Sequence, residues 1–465
     1  MNLKLKFLFG SAAFYFSILS LAVAETNFLD LSFDPGTGAG NTFVETVLPQ
    51  PDGKVLVCGA FTVFRGQPRN YIARLNSDGS LDTNFVASPS YWVRHMALQT
   101  DGKIIIGGFF TSVEGQSRNL IARLNANGSL DPSFNPGSGG TGTLGVSITG
   151  VPDPFVFQTA LQSDGKILIT GNFTTYNGVG VNGIARLNTN GTLDTTFQVG
   201  SGLSTWGRSI QVLPNNQILV TGWFENYNNT SHNRMVLINP NGSPDNSFLP
   251  FFGDRTSVYT ALKLSNGQYI VAGHSLNYQG LFMEEMRRLN ANGTVDTNFT
   301  PRANEKVQSL ALQADGKILM VGEFSMVNGV PRSTIARLNS DGTLDTTFSA
   351  NVDNWGWTVK VQNDGKILFS GGFANVNGAV RGGVARLLSG PPESAPQLFN
   401  PIRTGNTFNI SVATVSGKTY VLEYKNSLSV SNWILLPAVP GDGTIKILSD
   451  PGASVAERFY RVLEN

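Results

Sequence analysis

The chain of 465 residues holds one cysteine, three histidines and no excess charge of either sign. A lone cysteine, Cys58, excludes an intramolecular disulfide. It also lies too far from the N-terminus to carry a lipid anchor, and its place in the repeat described below marks it as a small buried residue. The histidines, His95, His232 and His274, show no metal-ligand spacing, so no metal site is expected. Lys and Arg number 33 against 32 Asp and Glu, which leaves no bulk field for nucleic acid or an anionic membrane. There is neither a Gly-x-Ser-x-Gly elbow nor a phosphate-binding glycine loop, and no cofactor is expected.

What the chain has instead is 52 glycines, 41% apolar residues and only 14% charged ones, a turn-rich composition with enough apolar content for packed cores. Its N-terminus reads as an export signal: Lys4 and Lys6, an apolar stretch over residues 7–21, then the small-x-small site Ala22-Val23-Ala24. The stretch is too short for a membrane span. Residues 1–24 are therefore expected to be removed, leaving a secreted or cell-surface protein without a transmembrane anchor.

Seven copies of an x-Asp-x-x-Phe motif run through the rest, with the Asp at 30, 82, 131, 194, 245, 296 and 345. A hairpin tip recurs as often, at Gly53, Gly102, Gly165, Asn216, Gly267, Gly316 and Gly365, with spacings of 49, 63, 51, 51, 49 and 49. The long interval holds an extra loop near residues 136–154. In the second repeat, residues 93–99 alternate as a strand, Asp101-Gly102 turns the chain, and 103–110 form a near-continuous apolar strand. A loop over 111–118, a third strand over 120–125, an Asn127-Gly128 turn and a fourth strand over 129–134 follow. Four short strands in about 50 residues is the size of a propeller blade.

The first Asp-x-x-Phe precedes any hairpin, while the last repeat stops at Ala385-Arg386-Leu387-Leu388 without one. One strand is missing at the end and supplied from the beginning. The expected fold is all-β: a seven-bladed β-propeller over 25–388 closed by an N-terminal strand, a linker over 389–397, and a small β-sandwich-like module over 398–465. The repeated Asp should accept hydrogen bonds from turn amides. The Arg of Ala-Arg-Leu-Asn (74, 123, 186, 288, 337 and 386, with Leu237 in the fourth repeat) should pair with it. Chemistry built seven times over is framework.

Written as Ala-Leu-Gln-x-Asp-Gly-Lys-Ile-Leu-x-x-Gly-x-Phe…Ala-Arg-Leu-Asn-x-Asp-Gly-x-Leu-Asp-x-x-Phe, the unit resembles the bacterial delta-60 β-propeller repeat. Residues 309–348 carry that signature almost intact, and the fourth and fifth repeats depart from it with Asn216-Gln217 and Gly267-Gln268. The resemblance implies an exported bacterial protein and carries no general activity.

A ligand site should lie where equivalent positions differ. One position, at the end of the second strand, holds Ala60, Phe109, Asn172, Trp223, His274, Glu323 and Gly372. By symmetry these form a ring near one face, either turned to a ligand or a tolerant packing position. The loops entering each first strand add Tyr91, Trp92, Phe155, Trp206, Tyr259, Trp355 and Trp357, aromatics suited to the C–H faces of sugars or to plugging their own blades. A third set, Arg69, Arg118, Arg332 and Arg381, belongs to contiguous blades and would favour an acidic ligand; the other blades carry Val181, His232 and Met283 there.

The expected function is that of a monomeric, non-enzymatic binding protein using one propeller face. Its ligand-binding residues would be Asn172, Trp223, His274, Glu323, Trp92, Trp206, Trp355 and Trp357, and its partner a glycan or a surface protein. The alternative is a glycan-acting hydrolase or lyase with His274 and Glu323 as its acid/base pair.

Overall fold

The computed structural model describes residues 5–8, 28–40, 42–144, 154–250, 252, 257–274, 277–278, 281–282, 286–390, 398–427, 432–454 and 457–464; for residues 5–8, 277–278, 281–282 and 457 only the backbone is described. No helix occurs among them, and hence none long and apolar enough to cross a membrane. The chain divides into two units, residues 26–391 and residues 392–465 together with 1–25.

The larger unit is a seven-bladed propeller. In each blade three antiparallel strands are ordered as they occur in the chain, as in the second: Val93–Leu98, Ile104–Gly108 and Ile121–Leu124. The middle strands are buried along their whole length, except for His274 at the end of the fifth, because neighbouring blades cover both faces, which is why they read as largely apolar runs. The hairpin tips take the left-handed backbone that their Asp-Gly and Asn-Gly sequences anticipate, with φ +82° at Gly102 and +61° at Asn216, the one copy without glycine.

The fourth strand is shorter than the sequence suggests. Of residues 129–134 only Leu130 pairs, with Leu124, and the chain then turns. Asp131 causes this: its Oδ1 accepts from the N–H of Ser133 at 3.0 Å and from its hydroxyl at 2.6 Å, curling the backbone off the sheet. The loop over 111–118 in turn contains a small ribbon, Ser112–Val113 against Gln116–Ser117.

Ring closure follows the offset of the repeats. Leu29 bridges Leu387, the N–H of Asp30 donates to the carbonyl of Arg386 at 2.9 Å, and the N–H of Leu388 donates to that of Phe28 at 2.7 Å. The hydroxyls of Thr358 and Ser370 in the last blade donate to the carbonyl of Glu45 in the first, at 2.7 and 3.0 Å.

The repeated Arg and Asp do form an ion pair, and it has a third member and two further contacts. Asp131 takes Arg123 Nε at 2.7 Å and Lys103 Nζ, from the hairpin tip, at 2.9 Å. The Arg123 guanidinium lies 5.1 Å from the centre of the Phe134 ring, and its Nη1 donates at 2.6 Å to the carbonyl of Thr189 in the next blade. Arg386 repeats this across the seam, pairing with Asp30 at 2.7 Å and reaching Ser77 of the first blade at 3.0 Å. The motif is thus a staple between blades.

In the smaller unit, strands Leu398–Thr404, Thr407–Ala413 and Ile445–Asp450 form one sheet, and Thr419–Lys425, Ile434–Leu435, Val439–Pro440 and Glu457–Glu464 belong to the other. Both contribute to one core around Phe408, Ile410, Tyr420, Leu422, Leu448 and Tyr460. Leu5–Leu8 runs antiparallel beside Glu457–Glu464. Apart from those four residues, the segment read as an export signal (1–24) lies outside the described residues, as do most of the linker and residues 145–153 of the long loop.

Candidate functional site

The first strands of all seven blades line an axial channel containing a cavity of about 450 Å³. Four aromatics of the entry loops, Trp92, Phe155, Trp206 and Trp355, are cross-strand partners of residues in the second-strand set. The entry residue of each first strand faces the exit residue of the second: Trp92 with Phe109, Trp206 with Trp223, Lys306 with Glu323 and Trp355 with Gly372 share a backbone hydrogen bond, and Phe155 with Asn172 and Ser257 with His274 are paired in register. This accounts for the variety at four of the positions, where Phe109, Trp223, Glu323 and Gly372 each suit the residue opposite. Trp92 stacks on Phe109 at 5.2 Å and Trp206 on Trp223 at 5.8 Å. Gly372 leaves room for Trp355, whose ring a Cβ there would meet at 2.6 Å.

Together the aromatics form an almost continuous belt. It runs from Trp357 and Trp355 through Phe43, Trp92, Phe109, Phe155 and Phe157 to Trp206 and Trp223, with neighbouring ring centres 4.7–6.0 Å apart. Trp92 and Trp206 are buried within it, Trp355 and Trp357 are half-buried, and Trp223 presents 45% of its surface to solvent. Tyr91 stands apart, packed on Tyr71.

The polar members are placed differently. Asn172 is buried, and its Oδ1 accepts from the N–H of Leu144 at 2.7 Å. The Glu323 carboxylate takes Lys306 Nζ at 2.9 Å and Gln308 Nε2 at 2.7 Å. His274 ends its strand opposite Ser257 and is not among the partners of Glu323. No cluster of His, Cys, Asp or Glu able to hold a metal ion occurs among the described residues.

A further ring was missed by the sequence reading. Each first strand carries a β-bulge just after its entry residues, and the extra residue points to the channel: Glu45, Arg94, Phe157, Arg208, Tyr259, Gln308 and Trp357. Seven blades carry six residue types there, the same signal that drew attention to the second-strand position. Only Tyr259 and Trp357 were included, as aromatics. Phe157 lies between two guanidinium groups, Arg94 at 4.0 Å and Arg208 at 4.9 Å from its ring centre; Arg208 also sits 3.7 Å from the centre of Tyr259. Arg94 pairs with the buried Glu45, and Arg208 donates to Gln308. Burial lowers the pKa of Arg208 to about 10, and Arg94 nearby adds to the effect.

Deeper in the channel stand His95 and Lys360. His95 Nδ1 lies 3.0 Å from the Thr159 hydroxyl, and burial, with Lys360 close by, lowers its pKa to about 3, so the ring is neutral. Burial also lowers the pKa of Lys360. Cys58 is buried and free, its thiol pushed well above the ordinary value by burial and by Glu45.

The third set is held locally. Arg69, Arg118, Arg332 and Arg381 each donate from Nη1 to the carbonyl of the preceding residue at 2.7–2.8 Å, and Arg381 also pairs with Asp34 at 3.1 Å. Their counterparts Val181 and His232 are buried, and Met283 lies outside the described residues.

No curated protein matches the chain. Among solved structures it is similar to the WD40 beta propeller domain of Doa1 (14% identity, TM-score 0.49, covering 77% of this chain and 96% of that one). It is also similar to a streptogramin B lyase (15%, 0.47, 76% and 94%). A third likeness is to PorZ, a bacterial surface component of the type-IX secretion system of Porphyromonas gingivalis (10%, 0.47, 94% of this chain and 60% of that one). A family model described as a domain of unknown function (DUF5122) beta-propeller matches residues 50–85, 99–134, 162–197, 213–248, 264–299, 313–348 and 362–390. These segments make up more than half of the chain and include all seven hairpin tips; the chain belongs to the DUF5122 beta-propeller family.

Proposed function

We propose that this is an exported binding protein whose propeller captures its ligand at the aromatic mouth of the channel, without turning it over. The observation that carries the reading is the belt itself. Nine aromatic side chains from five blades converge on one opening, and one of them, Trp223, offers nearly half its surface to solvent. Such a surface suits sugar rings, whose C–H faces stack on π-systems. A glycan is therefore favoured over a protein partner. The hydrolase or lyase reading has less support, because the Glu323 carboxylate is engaged by Lys306 and Gln308 rather than by His274.

The test is a glycan array probed with the mature protein and with Trp223→Ala, alongside a reducing-end assay on every glycan that binds. Binding that weakens in the variant, with no new reducing ends, supports the proposal. Turnover abolished by Glu323→Gln would contradict it, as would glycan binding indifferent to Trp223.

A further inference from the structure

Beneath the mouth, the channel has more positive charge than it can neutralise. Three cations line the cavity, Arg94, Arg208 and Lys360, against one carboxylate, Glu45. His95 adds no charge. Moving an uncompensated charge out of water costs several kcal/mol even after relaxation, so the excess is either a burden on the fold or a lining suited to an anionic ligand.

The hydrogen bonding points the same way. Arg94 is 3% exposed, its one carboxylate partner is Glu45, and its Nε has no acceptor. Arg208 gives one bond, to the neutral Gln308. Lys360 meets no carboxylate among the described residues. The framework lysines behave differently: Lys54, Lys103, Lys166 and Lys317 all reach an Asp within 2.9 Å. Unlike those four, Lys360 is left open inside a cavity.

We infer that the channel binds the carboxylate of an acidic sugar, held by Arg94 and Arg208 on either side of Phe157 while the sugar ring rests on the aromatic belt. The inference rests on the binding function proposed above and names its ligand class. Two guanidinium groups supply planar, paired donors that suit a carboxylate. Lys360, as a point charge farther along the channel, adds attraction without direction. The acid could be a free uronate or a uronic residue within a glycan chain.

Isothermal titration of the full-length mature chain tests this with glucuronate, glucose, an oligogalacturonide and inorganic phosphate as probes. Glucuronate should bind at least about tenfold more tightly than glucose, the scale of one lost charge-assisted hydrogen bond. Arg208→Gln should remove that preference. Tighter binding of the oligogalacturonide than of glucuronate identifies a glycan chain as the source, and the reverse identifies a free sugar acid. Lys360→Met guards against a folding artefact: relieved of a buried charge, it should melt no lower than the wild type yet bind glucuronate more weakly.

Equal affinity for glucose and glucuronate overturns the inference, as does a preference that survives in Arg208→Gln. Phosphate binding as tightly as glucuronate would mean that any anion suffices, and overturns it too. Neutral glycans that bind through Trp223 alone would leave the mouth as the binding site while removing the acidic ligand. Binding of no sugar at all would remove both.

Discussion

Substituting asparagine for the repeated Asp should have very different consequences in different blades. Asp131 holds Arg123 and Lys103, and the side chains of Asp131 and Arg123 are 6% and 9% exposed. Asp131→Asn keeps the shape and much of the turn but leaves a buried guanidinium without its counter-charge, a loss on the order of 3–5 kcal/mol. The retained bond from Arg123 to the Thr189 carbonyl, and the freedom of the more exposed Lys103 to turn outward, place the expected value near the lower end, about 3 kcal/mol. In the fourth blade Leu237 and Gln217 replace the Arg and Lys. Asp245 therefore accepts only neutral donors: Gln217 at 2.8 Å, and the N–H and hydroxyl of Ser247 at 3.0 and 2.6 Å. Asp245→Asn should cost about 1 kcal/mol. Urea unfolding, read as the change in midpoint at constant m-value, measures both. Equal losses in the two variants would refute the idea that the staple works by charge, and a loss in neither would refute the staple altogether.

Other outcomes follow from the same geometry. Burial opposes ionisation of Asp131, Asp194 and Asp345, yet their Ser/Thr, Lys and Arg partners hold all three well below the ordinary value of 3.8. Their contribution to stability is therefore complete above that value and lost as the pH falls through the lower folded ones, so melting temperature should stay level in mild acid and drop steeply below about pH 4. Asn216→Ala, at φ +61°, should destabilise by about 1 kcal/mol in urea unfolding, whereas Asn216→Gly should not. Trp223→Ala should cost about 2–3 kcal/mol of stability, the aromatic pair together with the apolar surface that Trp223 buries, and reduce tryptophan emission without altering the far-ultraviolet spectrum.

Much of the propeller could be read from the sequence because its framework repeats. Seven offset copies gave the blade number and the closure at Leu29 and Leu387, and the Arg–Asp pair followed from their constant spacing. The lysines of the staples escaped notice because, as at Lys54, Lys166 and Lys317, they lie 28 residues from the Asp in sequence and meet it only across the blade. The fourth strand was overextended because alternation of residues does not reveal a side chain that turns its own backbone. At the mouth, variation located the second-strand ring but not its cause, which lies in cross-strand partners such as Lys306 for Glu323. The bulge residues were hidden because one extra residue breaks the two-residue period that assigns sides of a strand. That is why Arg94 and Arg208, among the least compensated charges of the channel, went unremarked.

The central claim is that the channel mouth is a ligand site, and a thermal-shift series on the mature chain tests it most directly. Neutral glycans, acidic glycans and metal ions would be compared on the wild type, Trp223→Ala and Arg208→Gln. A ligand at one hundred times its dissociation constant adds about 2.7 kcal/mol, enough to raise the melting temperature measurably. The expected result is a rise with one glycan class that shrinks in both variants. A rise of equal size in all three proteins would place binding elsewhere, and no rise with any glycan would contradict the claim.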